Sequence, residues 1–169
     1  MCKNIQSDDE ISWNSLSKNK EMRCAIRELI MEQGADHFVT AVFNRETTFT
    51  GARQSLKKWH ALVDGCLLGS RWHKKSAQER TFFMAFAEHP DSNLHYHLML
   101  RLADPTRHVE FAAIASAFWQ EVVAGGSMEV GFLATALDLE KSAIYATKDL
   151  WRSDLINNFI ISSEFMNKS

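Results

Sequence analysis

The chain has 169 residues, of which 46% are hydrophobic, and a formal net charge of −2. Such a composition suits one sizeable buried core and excludes both a disordered chain and a protein coated all over in positive charge. Cys2, Cys24 and Cys66 stand far apart in no paired motif, so reduced thiols and a cytoplasmic setting are expected. The opening MCKNIQSDDEISW lacks an apolar signal core and no run reaches the length of a membrane span, so no membrane association is expected.

In chain order, residues 19–33 place Met22, Ile26, Leu29 and Ile30 on one helical stripe, with Gly34 as the stop. HFVTAVF, 37–43, follows as a run of β-formers. Ala52, Leu56, Trp59, Val63 and Cys66 then recur at helical spacing up to Gly69, with Arg53, Lys57 and His60 on another face, which predicts an amphipathic helix with a basic side. Residues 51–80 hold seven Lys or Arg against two acids, so this helix and the connection RWHKKSAQER carry a local basic patch. TFFMAFAEH and LHYHLMLRL are predicted to form a hairpin turned by Pro90, Asp91, Ser92 and Asn93. Asp104 and Pro105 suit the cap and first position of a helix with Phe111, Ile114, Phe118 and Val122 as its apolar stripe. MEVGFLATA is the fourth strand, LEKSAIYATKDLWR the last helix, and DLINNFIISSEFMNKS a tail able to dock on the sheet or on a second subunit.

Within the hairpin, His95 and His97 are two residues apart in a strand, so they share a face with about 6.5–7 Å between their backbones. Two imidazoles at that spacing can converge on one ion. Tyr96, Leu98, Leu100 and Leu102 form the opposite, apolar row, which divides the strand into a core side and a chemical side. In a register that opposes residues 88 and 95, Glu88 joins the two rings on their face, while His89, the competing third ligand, faces away. Two nitrogens and a carboxylate make a three-ligand set with open positions, suited to Mg²⁺ or Mn²⁺, with zinc as a further option.

The last helix carries Lys141, Tyr145, Lys148 and Arg152 at i, i+4, i+7 and i+11, a phenol flanked by three cations. With Tyr96 on the core side, Tyr145 is the tyrosine left to act as a nucleophile, and the cations would favour its phenolate and attract a phosphate. On this helix alone, an ordinary solvated face with a surface tyrosine is the simpler reading.

Taken together, FVTAVFN at 38–44, HYH at 95–97 and YATK at 145–148 resemble, in order, the motifs of the HUH endonucleases, the rolling-circle replication initiators with a single catalytic tyrosine. The resemblance covers about residues 37–152 and implies an α+β, ferredoxin-like βαββαβ antiparallel sheet with the tyrosine on a following helix. Residues 1–36 would then be an N-terminal helical extension and 153–169 a tail. It implies a divalent metal on His95, His97 and Glu88, attack by Tyr145 on a DNA phosphate, and Lys148 steadying that phosphate. Arg53, Lys57, Lys58, Lys74, Lys75, Lys141 and Arg152 would contact the DNA backbone, either of a single strand or of an origin hairpin. No GxxxxGK[ST] loop occurs, so unwinding is expected to need a separate helicase or supercoiled DNA. The family reading also implies the cytoplasm of a bacterial or archaeal host. Two alternatives share this pattern: a single-tyrosine transposase of the same superfamily, and a non-catalytic nucleic-acid-binding module on the same scaffold.

Overall fold

The structure, a computed structural model, describes the backbone of residues 8–166 and the side chains of 20–152 and 154–166. Helix α1 (Asp8–Gln33) leads into strand β1 (His37–Val42), then α2 (Phe49–Leu68), β2 (Phe82–Glu88) and β3 (His95–Arg101). Next come α3 (His108–Val122), β4 (Ser127–Phe132), α4 (Ala136–Ala146), a short α5 (Ser153–Ile156) and β5 (Ile160–Ile161). The strands form one antiparallel sheet in the order β4-β1-β3-β2-β5. Its first four strands have the ferredoxin-like βαββαβ arrangement that the resemblance implied.

Alternation along the strands sends side chains to two faces, and each face has its own core. Val39, Ala41, Phe83, Ala85, Tyr96 and Leu98 pack under α2 and α3 with Leu56, Trp59, Phe111 and Trp119. Each buried indole keeps a partner: Trp59 Nε1 donates to Ala115 O and Trp119 Nε1 to Val42 O, both at 3.0 Å. Full burial of such side chains contributes about 2–3 kcal/mol each. The opposite face, which carries the histidines, also packs over much of its length: Met84, Phe86 and Met99 meet Ile26 and Ile30 of α1 and Ala143 and Ala146 of α4. This corrects the division into a core side and a chemical side. A bare sheet face of this size would leave Met84, Phe86 and Met99 in water, so two helices cover it and chemistry is confined to its end.

Three local expectations also change. On α2 the predicted Ala52, Leu56, Trp59 and Val63 are buried, but Cys66 is exposed and the stripe also takes in His60, Asp64 and Leu67. His60 Nε2 donates to the Thr81 carbonyl at 2.7 Å, which takes this residue out of the basic face. On α1, Met22 is exposed while Ile26 and Ile30 are buried. The last helix stops at Ala146 instead of running through Arg152. There the Thr147 hydroxyl donates to Ala143 O at 2.7 Å, and Lys148 N reaches back only to Tyr145 O, so the helical ladder tightens into turns.

The tail docks on the sheet of its own chain. β5 pairs with the β2 edge at Met84↔Ile161 and Ala85↔Ile160, and Phe83 N donates to Ser162 Oγ at 2.9 Å. On α2, the fully buried Asp64 accepts from Arg80 Nε at 2.8 Å and from Thr81 N at 3.1 Å. Breaking a buried, hydrogen-bonded ion pair by removing one partner strands the other charge. Asp64→Ala is expected to cost about 3 kcal/mol of unfolding free energy in urea titration; a loss below about 1 kcal/mol would show that Arg80 finds another partner.

Candidate metal and tyrosine site

The register of β2 with β3 sets Glu88 opposite His95, and that of β1 with β3 sets Thr40 opposite His97. Parity then puts Glu88, His95, His97 and Thr40 on one face, at the end of the sheet that α1 and α4 leave partly open. The donor atoms converge: Glu88 Oε2 lies 2.9 Å from His95 Nε2 and 2.6 Å from His97 Nε2. Each ring is held from behind, His95 Nδ1 by the Asn93 carbonyl at 3.0 Å and His97 Nδ1 by Thr40 Oγ1 at 3.1 Å. A histidine donating Nδ1–H to a carbonyl presents, when neutral, a lone pair at Nε2. For His95 that lone pair faces a carboxylate oxygen, an arrangement that a cation between them satisfies. Rings anchored through their second nitrogen are also how metal-binding imidazoles are oriented. The cluster could hold a metal ion, and the donor atoms of Glu88, His89 and His95 all lie within 4.8 Å of one another.

Electrostatics point the same way. Burial works to raise the Glu88 carboxyl, but Lys148, His97 and His95 outweigh it and bring the pKa down to about 2. Glu88 is therefore a carboxylate at any physiological pH. Burial pushes His97 below the ordinary histidine value, against the opposing pull of Glu88, which favours the neutral ring a metal requires.

Tyr145 stands in the last turn of α4, half exposed, with its ring 5.1 Å from that of His97. Phe38 stacks on His97 at 5.3 Å and meets Tyr145 edge-on at 6.1 Å, so one β1 side chain braces both. Lys148, just past the helix, lies with Nζ 4.0 Å over the Tyr145 ring and forms an ion pair with Glu88 Oε1. Its partial burial is overcome by Glu88 and Tyr145, which hold its pKa above the usual lysine value. The turn that carries it is fixed from α1, where Arg27 Nε donates to the buried Thr147 Oγ1 at 2.8 Å.

The basic residues divide between layers. Arg53, Lys57 and Lys58 ride on α2, across the sheet from the histidines, and Lys74 and Lys75 lie in the connection that follows. Arg53 forms an ion pair with Glu164 and lies over the Phe165 ring at 5.6 Å, while Lys75 is 3.8 Å from Glu79. Lys141 is exposed one helical turn before Tyr145. Arg152 links Asp91 of the hairpin turn, at 3.2 Å, to Asp154, at 2.8 Å.

His89 does not face away. Its φ of 49° lies in the left-handed region, which a histidine tolerates better than most residues at a cost of about 1 kcal/mol, and it turns the ring back beside the site. His89 Nε2 is 3.6 Å from Glu88 Oε1. Also outside the sequence reading were Thr40, Phe38 and Asn93, which orient the rings, and Arg27 with Thr147. Thr40 lies within the first motif and becomes interpretable only once the register pairs it with His97. Glu46, Thr47, Thr48, Pro90, Asp91, Ser92 and Leu94 border an open cleft of about 470 Å³ that none of Glu88, His95, His97 and Tyr145 lines.

Comparison with models of known families, with curated proteins and with solved structures found no match to the chain. Among the described residues, no helix is long and apolar enough to cross a membrane.

An ion that binds only the folded chain stabilises it by about 2.7 kcal/mol at a concentration 100 times its Kd. Saturating Mn²⁺ is thus expected to raise the thermal midpoint by roughly 5–10 °C, and His97→Ala to abolish the shift. Equal shifts in both proteins would show that the ion binds elsewhere.

Proposed function

We propose that the chain nicks and joins single-stranded DNA in a metal-dependent reaction through a 5′-phosphotyrosine intermediate, the chemistry of an HUH endonuclease that initiates rolling-circle replication. The observation that carries this reading is the packing of the Tyr145 phenol against His97, one of the rings that converge on Glu88, with Lys148 bridging phenol and carboxylate. A single phosphodiester is small enough to touch both.

His95, His97 and Glu88 would hold Mg²⁺ or Mn²⁺, which when bound supplies Lewis-acid polarisation of a nonbridging phosphate oxygen. The protein does the rest. Tyr145 gives up its proton to solvent and its oxygen attacks phosphorus; the bond from phosphorus to the 3′ oxygen breaks, and that oxygen takes a proton to become a free hydroxyl. The ammonium of Lys148, 4.0 Å over the Tyr145 ring, would meet the charge that develops on the phosphoryl group. Phe38 and the Arg27–Thr147 bond hold the phenol and the Lys148 turn in place, so little ordering remains for the reaction itself. The covalent link keeps the phosphoester energy, which lets a second strand reverse the step without a nucleotide cofactor.

Lys141 and Arg152 belong to the layer of Tyr145 and suit contacts with the strand near the phosphate. Arg53, Lys57, Lys58, Lys74 and Lys75 would reach a strand only by its wrapping round to the α2 layer. A separate helicase would supply unwinding, and an origin hairpin would expose the scissile strand.

The test is incubation with a pool of single-stranded oligonucleotides and Mn²⁺, read on a denaturing gel. A protein and DNA adduct is expected that vanishes in Tyr145→Phe and in EDTA, and that falls about a hundredfold in rate in Lys148→Ala. Binding without adduct or cleavage under any divalent ion would replace the nuclease by a non-catalytic binding module.

A further inference from the structure

A second metal-ligating side chain reaches the Glu88 carboxylate from outside the sheet. The His89 ring lies 5.3 Å from the His95 ring, and donor atoms of Glu88, His89 and His95 all fall within 4.8 Å of one another. With bonds near 2.1 Å, two donors on one ion stand about 3–4.2 Å apart. Closing the remaining gap takes only a rotation of the His89 side chain, which is 62% exposed and so free of packing that would resist it.

Position and support separate His89 from the other three groups. His95 is anchored by Asn93 and His97 by Thr40, while Glu88 is held by Lys148. No described residue anchors the second nitrogen of His89. Its backbone, by contrast, is committed: the left-handed φ of 49° at the end of β2 and the bond from Ser92 N to His89 O at 3.3 Å fix where the ring starts. A residue with fixed backbone, exposed ring and nearby donors can join an ion and can also leave it.

We propose that His89 is a fourth protein ligand, giving the site three imidazoles and one carboxylate. The inference rests on the reading of Glu88, His95 and His97 as the metal set. Its consequence is the class of ion. Mg²⁺ takes oxygen ligands and keeps its waters, whereas Mn²⁺, Co²⁺, Ni²⁺ and Zn²⁺ accept imidazole nitrogen with affinity that rises along the transition series. Three nitrogens make the site a transition-metal site that discriminates against Mg²⁺.

The probe is Co²⁺ added to the full chain after chelator treatment, followed by calorimetry and visible absorption. His89→Asn removes the imidazole and keeps a residue that tolerates left-handed backbone. The variant is expected to bind Co²⁺ about tenfold more weakly than the wild type, with a changed ligand-field spectrum, while Mg²⁺ affinity stays the same. In the Co²⁺-loaded wild-type protein, three sets of strongly shifted imidazole ring resonances are expected by NMR, a measurement that needs no variant. Two sets, or an unchanged Co²⁺ affinity and spectrum in His89→Asn, would overturn the proposal. If His97→Ala also left Co²⁺ binding intact, the three-residue metal reading itself would fail, which a failure at His89 alone would not imply.

Discussion

The carboxylate of Glu88 is the group on which the site depends. It sits at the end of β2, 4% exposed, where an unpaired charge would be costly to bury. The Lys148 ammonium answers that charge at Oε1, while the Nε2 atoms of His95 and His97 lie against Oε2 and that of His89 is 3.6 Å from Oε1. Because these groups come from β2, β3, the turn between them and the segment after α4, satisfying one carboxylate draws the hairpin and the tyrosine-bearing helix together. The same attraction that stabilises this end of the fold brings the Glu88, His95 and His97 side chains and the Tyr145 ring together.

The two-layer covering of the sheet follows from the same economy of burial. The α2 and α3 layer buries the larger aromatics and carries no part of the site. The α1 and α4 layer is thinner, built on Ile26, Ile30, Ala143 and Ala146, and small residues on α4 let the helix approach the sheet closely enough for Tyr145 to pack on His97. The N-terminal helix thereby has a role beyond covering apolar surface: Arg27 fixes Thr147, whose neighbours in the chain are Ala146 and Lys148. Arg152 performs a similar office from the other side, tying the post-helical turn to Asp91 in the hairpin.

Much of the fold was legible. The β-formers of 37–43 and the runs TFFMAFAEH and LHYHLMLRL mark strands, the turn at Pro90–Asn93 marks a hairpin, and the register considered, with residue 88 opposite 95, is the one found. The errors have specific causes. His60 looks like part of a basic face because helical spacing alone does not reveal that the Thr81 carbonyl awaits a donor. The final helix looks four turns long because its composition favours helix, while the Thr147 hydroxyl turning back to Ala143 O decides otherwise. His89 looks misdirected under strict alternation, a rule that ends where the backbone crosses to positive φ.

By itself the sequence determined the residue types and their parity: two imidazoles on one strand face, a carboxylate seven residues earlier, and a tyrosine followed three residues later by a lysine. Those are local properties, set by the two-residue period of a strand and by positions in the chain. Which cations stand beside Tyr145, that α2 lies across the sheet from the histidines, and that α1 holds the tyrosine turn were decided only by the tertiary structure. Strand order and helix placement are set by the burial of two apolar faces, a long-range competition that no short stretch of the chain contains.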